Sequence, residues 1–126
     1  MTANAQHAYT IDRALCDPAL LGAALVDSAS WQVWVVVLKA AFGIELDEQE
    51  ARIFASIAGE RQPPTQRVRE LWAIVGRRGG KSRIAAALAI YLALFAEHRL
   101  ARGERGIVLV LAASRDQASE IGRAHV

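Results

Sequence analysis

Glu70-Leu71-Trp72-Ala73-Ile74-Val75, continuing into Gly76-Arg77-Arg78-Gly79-Gly80-Lys81-Ser82, is the stretch on which the reading of the fold turns. Its first six residues form a short apolar run bounded by a charge and a glycine, which suits a buried parallel strand. The next seven form a glycine-rich turn. From Ser82 to His98 the chain is rich in alanine and leucine and predicts a long helix. After a polar loop, Leu100–Gly106, the run Ile107-Val108-Leu109-Val110-Leu111-Ala112-Ala113 reads as a second buried strand, and Ser114 or Asp116 can cap a further helix. Strand, glycine loop, helix, strand is the order of a right-handed βαβ unit, so an α/β fold is expected.

Upstream, the pattern is helical. Trp31, Trp34, Val35, Leu38, Ala41 and Phe42 recur at i, i+3, i+4 and i+7, which predicts a helix over Ser30–Phe42 with Ser30 as cap and Gly43 as stop. The β-branched Val35-Val36-Val37 argues the other way, for a strand. Asp47 with Glu50 three residues on spells a capping box. Ala51, Phe54, Ala55 and Ala58 would form that helix's apolar stripe, and Gly59 would end it. Gln62-Pro63-Pro64-Thr65 predicts an extended linker. Residues 1–29 say least; Asp17-Pro18 predicts a helix start for Ala19–Val26. Trp31 and Trp34 suit a core better than a base-stacking platform.

Composition bounds the class. A chain of 126 residues with 53% hydrophobic and 22% charged residues has the makings of one folded domain or part of one. The formal net charge of +2 is too small to argue for nucleic acid by itself, although Arg61, Arg67, Arg69, Arg77, Arg78 and Arg83 crowd one stretch. Cys16 is the only cysteine, so no internal disulfide forms and a reducing cytoplasmic setting is expected. Met1–Thr10 lacks the order of a signal peptide. The longest apolar run, Ile84–Ala96, is too short to span a bilayer, and no membrane partner is expected. His7, His98 and His125 are isolated and show no metal-ligand spacing. Glu120-Ile121-Gly122-Arg123-Ala124-His125-Val126 matches the translation of a common sequencing adapter. The organisation expected is therefore an N-terminal segment over 1–29, a partial domain over 30–119 and a non-native tail over 120–126, with the natural chain continuing past Ser119.

The glycine turn carries the chemistry. A polyphosphate concentrates negative charge, and backbone N–H groups converging from a tight loop at a helix N-terminus can hold it. Glycines permit that close approach, and some loop residues need φ > 0. Gly79 and Gly80 would give bare backbone and Lys81 a charge for the β- and γ-phosphates. Ser82 would give a hydroxyl for Mg²⁺. Against the usual G-x-x-x-x-G-K-[S/T] pattern, Val75 stands where the first glycine belongs and Gly76 falls one residue late.

The segment Ile74-Val75-Gly76-Arg77-Arg78-Gly79-Gly80-Lys81-Ser82 resembles the deviant Walker A loop of phage terminase large subunits, a family that often replaces the first glycine and carries arginine in the loop. The Trp31…Trp34…Phe42-Gly43 stretch and Leu111-Ala112-Ala113-Ser114-Arg115-Asp116-Gln117-Ala118 add to the likeness, which covers about Trp31 to Ala118. It implies the front of a P-loop NTPase: N-terminal helices plus the first β-loop-α-β unit of an incomplete domain. It implies binding of ATP with Mg²⁺ through Val75, Gly76, Arg77, Arg78, Gly79, Gly80, Lys81 and Ser82, with Gln49 as an adenine-contacting glutamine. Lys81 and Arg77 would serve catalysis, Arg77 by sensing or stabilising the γ-phosphate; Arg78 would be structural or DNA-facing. For the parent protein it implies an ATPase in a homo-oligomeric ring in the host cytoplasm. That ring would drive double-stranded DNA into a capsid with a portal and a small terminase subunit.

Hydrolysis needs an acidic pair at the end of a later strand, and no apolar strand ending in Asp-Glu occurs here; the clustered acids of a nuclease are absent too, so the chain as given is expected to bind nucleotide poorly and not to hydrolyse it. Two other readings fit the same loop: another P-loop enzyme such as a helicase or a metabolic kinase, and a non-enzymatic module whose arginine-rich loop holds nucleic acid.

Overall fold

The computed structural model describes residues 9–25 and 31–123. Among them lie five α-helices: α1 (Ile11–Cys16), α2 (Gln32–Ala41), α3 (Glu48–Ala58), α4 (Lys81–Leu94) and α5 (Arg115–Arg123). The chain divides into two compact units, Ile11–Ile74 and a second made of Met1–Thr10 with Val75–Val126.

In the first unit, α1 and a short 3-10 turn, Leu21–Ala24, pack with α2, and α2 packs with α3. The core here is Ile11, Ala14, Leu15, Leu21, Leu25, Val36, Leu38, Ala40 and Ala41, all buried. Burial of each large aliphatic side chain contributes roughly 1.5–3 kcal/mol. The helix expected over Ala19–Val26 is not formed. Asp17 does act as a local cap, its carboxylate accepting from the Ala19 N–H at 2.9 Å, but only the 3-10 turn follows, and Val26 lies outside the described residues. The helix of this region lies earlier, at α1.

The expected helix around Trp34 is α2, and Val35-Val36-Val37 is helical rather than a strand. The expected cap Ser30 lies outside the described residues. Gly43 ends α2 with φ 70, and the Ile44 and Gly43 N–H groups donate to the Lys39 and Ala40 carbonyls, a complete Schellman closure. A side chain at Gly43 would also meet the Gln66 backbone at 2.6 Å. The linker is pinned there: the Val68 N–H donates to the Ala41 carbonyl and the Arg67 guanidinium sits over the Phe42 ring.

α3 begins with the capping box read from Asp47 and Glu50 and ends at Gly59, φ 66. Its expected stripe is only partly covered: Phe54 and Ala58 are half-buried, whereas Ala51 and Ala55 are exposed and Ile53 takes their place. The link between α2 and α3 is polar. Lys39 Nζ donates to Glu50 Oε1 at 2.8 Å, with both side chains largely shielded. Burial alone would lower the Lys39 ammonium, but Glu50, with Asp12 and Asp47, outweighs it and raises it above the ordinary lysine value.

In the second unit, α4 packs against α5. Its buried residues are Ile84, Ala86, Ala87 and Tyr91. The Tyr91 hydroxyl donates to the Tyr9 carbonyl at 2.7 Å, and the Phe95 ring lies 5.8 Å from that of Tyr9. α4 stops at Leu94, four residues before the expected end at His98, whose ring nitrogen meets the Leu92 carbonyl. α5 is capped by Ser114 rather than Asp116, the Ser114 hydroxyl accepting from the Gln117 N–H at 3.3 Å, and it runs on to Arg123.

The α/β expectation is overturned. Among the described residues there is no strand, so no β-loop-α-β unit is formed. Glu70–Val75 and Ile107–Ala113 carry no regular structure and make no backbone–backbone hydrogen bond. Both are open to solvent, with Trp72 87%, Ile107 84% and Leu111 83% exposed. The physical reason lies in what a parallel strand requires. Two apolar runs with one crossover helix supply a two-stranded sheet with one face covered. Two strands alone are marginal, and parallel strands need cover on both faces. Apolar composition marks a segment as fit for such a place without providing its neighbours.

Candidate phosphate-binding loop

The turn expected between the apolar run and the long helix is present, in the second unit. Residues 77–80 turn the chain and α4 begins at Lys81. The Gly79 N–H donates to the Gly76 carbonyl at 3.3 Å and closes the loop. Two residues take positive φ, Arg78 at 59° and Gly80 at 75°. Gly80 has the left-handed conformation at the N-cap, and its carbonyl accepts the Ile84 N–H at 3.0 Å.

Each expected site residue has a definite place. Val75 is half-buried, and its Cγ1 occupies the space that a side chain on Gly79 would need. A side chain at 79 would therefore have to displace Val75, the valine that breaks the usual pattern. Gly76 has open space where a side chain would stand. Arg77, Arg78, Lys81 and Ser82 are all exposed, the last two in the first turn of α4. Arg83, which the sequence marked only as one basic residue among several, adds a further exposed cation to that turn.

Gln49 is not brought into this loop's unit. It is exposed in the first turn of α3, within Ile11–Ile74, where its backbone N–H helps hold the Asp47 carboxylate. Its structural work is therefore in the cap of α3.

The electrostatics of the loop are one-sided. Arg77, Arg78, Lys81 and Arg83 stand within seven residues that contain no acid. A helix start leaves its first N–H groups without intrahelical acceptors, and Gly80 has no side chain to cap them. Fixed positive charge, a helix start without a side-chain cap and an exposed hydroxyl are a donor set that fits a polyanion. Ser82 could ligate Mg²⁺ only together with phosphate oxygens, because the described residues hold no group of three or more His, Cys, Asp or Glu able to take a metal.

No family model, no curated protein and no solved structure matches this chain.

Proposed function

We propose that residues 75–82 are the polyphosphate-binding loop of an ATPase, and that the chain derives from a DNA-packaging motor of the terminase large-subunit kind. The observation that carries this reading is the left-handed Gly80 placed directly before Lys81 and Ser82 at an uncapped helix start. That arrangement places a lysine and a hydroxyl in the first turn of a helix without a side-chain cap, and it does not depend on a sheet.

In this reading Lys81 holds the β- and γ-phosphates and Ser82 completes the Mg²⁺ shell supplied by the nucleotide. Arg77 adds charge where a transferring phosphoryl group would develop it. Hydrolysis would further need an acidic pair, one member for Mg²⁺ and one to activate water. The resemblance extends the proposal to the parent protein: double-stranded DNA as cargo, a portal and a small subunit as partners, a ring of identical subunits and the host cytoplasm as the setting. No helix among the described residues is long and apolar enough to cross a membrane.

Titration with a fluorescent ATP analogue in the presence of Mg²⁺ tests the site. Lys81→Ala removes one charged hydrogen bond, about 1.5–3 kcal/mol, so affinity should fall by roughly 10- to 100-fold. Equal affinity for both proteins would sink the nucleotide reading and leave a basic loop without a nucleotide.

A further inference from the structure

The two units differ in charge. Residues 75–126 carry nine arginines and lysines against four acids, whereas residues 11–74 carry six against nine. Four of those nine cations belong to the phosphate loop and the start of α4. Three more, Arg99, Arg102 and Arg105, fall in one turn beyond α4.

That turn is built to present them. The Glu104 N–H donates to the Ala101 carbonyl at 2.9 Å, and Gly103 takes φ 84, the left-handed value a type II turn needs at its third position. Leu100 Cδ1 lies 3.7 Å from where a side chain on Gly106 would begin, so the two arms lie side by side. Arg102 occupies the tip and Arg99 and Arg105 the arms, and all three are exposed. The only acid in the turn, Glu104, is spent on the backbone: its Oε2 accepts the Ala101 N–H at 2.7 Å. Among the described residues none of the three arginines forms a salt bridge.

We infer that the turn Arg99–Arg105 is a contact for the phosphodiester backbone of duplex DNA, separate from the nucleotide loop and standing whether or not that loop binds ATP. Three exposed guanidiniums on one short turn, with the local carboxylate hydrogen-bonded to the backbone, concentrate positive charge that suits a phosphodiester backbone. Binding there is independent of sequence and steeply dependent on salt.

The experiment measures binding of the full chain to a short labelled duplex of random sequence between 50 and 200 mM salt. Three neutralised phosphates contribute about 2.7 to the slope of log K against log salt. The triple variant R99Q/R102Q/R105Q should therefore lose about 40-fold less affinity over that range than the parent chain. The charge-preserving variant R99K/R102K/R105K should keep the parent slope, and the glutamine variant should keep its affinity for the Mg²⁺-bound ATP analogue. The site is refuted if the glutamine variant keeps the parent slope, if both triple variants lose it alike, or if phosphatidylserine vesicles bind the parent chain more tightly than the duplex at equal salt.

Discussion

Arg78 is the one described residue other than glycine with a positive φ. A left-handed conformation costs an L-residue roughly 1–2 kcal/mol, and in this loop nothing but a flexible cation stands there. Arg78→Gly should therefore stabilise the second unit by about 1 kcal/mol in a denaturant melt while weakening binding of the Mg²⁺-bound ATP analogue. Reduced stability in that variant would show that Arg78 is held by packing, and unchanged affinity would show that it has no part in the site. Gly80 is the converse case. Its φ of 75° sits at the helix start, and Gly80→Ala should destabilise α4 by roughly 1–2 kcal/mol, seen as a lower thermal midpoint by circular dichroism. The chemistry of Lys81 and Ser82 was readable from residue type and spacing. The conformations of Arg78 and Gly80 were readable only as a need for some positive φ, since type alone does not say which residue turns. The part played by Val75 was hidden for another reason: that it fills the space beside Gly79 is a fact of side-chain packing.

Helix ends were legible where the partners lie within a few residues. Asp47 and Glu50 are three apart, and the box forms as spelled, with Glu50 N–H donating to Asp47 Oδ1 at 2.8 Å and Asp47 N–H to Glu50 Oε1 at 3.3 Å. The stop at Gly43 and the cap at Ser114 are equally local. What spacing could not show is that the same Glu50 oxygen also receives Lys39 from α2. One carboxylate thus serves a cap and a link between helices. Asp47→Ala should lower the stability of the first unit, read as an earlier denaturant midpoint. The Asp47 carboxylate is held below its ordinary value, first by the Glu50 N–H. Its contribution is present above the unfolded carboxylate value and is lost as pH falls through the lower, folded one. Lys39 is raised, so its contribution holds below the ordinary lysine value and disappears as pH climbs through the raised one. Helicity followed by circular dichroism should fall at both extremes, and Lys39→Met should remove the alkaline loss alone. An unchanged alkaline limb in that variant would place the loss elsewhere. The two apolar runs were misread as strands because a strand, unlike a cap, is completed by distant neighbours.

At the scale of the whole molecule, those runs are the main unsatisfied surface. Ile107–Leu111 holds five consecutive apolar residues with no charge, proline or glycine, and its backbone is unpaired among the described residues. Such a segment pairs readily with copies of itself. The purified chain should self-associate with rising concentration, and Leu109→Lys should suppress this in light scattering without lowering helicity. Association unaffected by that lysine would point to Leu71–Ile74 instead, where Trp72 stands open. The second unit is also discontinuous in sequence. The chain supplies Tyr9, departs for the whole of Ile11–Ile74, and returns to supply Tyr91. Denaturing the inserted helices would turn a tether of fixed span into a slack one, and the tyrosine pair would then have to find each other across a random coil. Damage to α2 or α3 would in that way loosen α4 through connectivity alone, and trimming the chain back to Ile11 would be felt in the last turn of a helix eighty residues away.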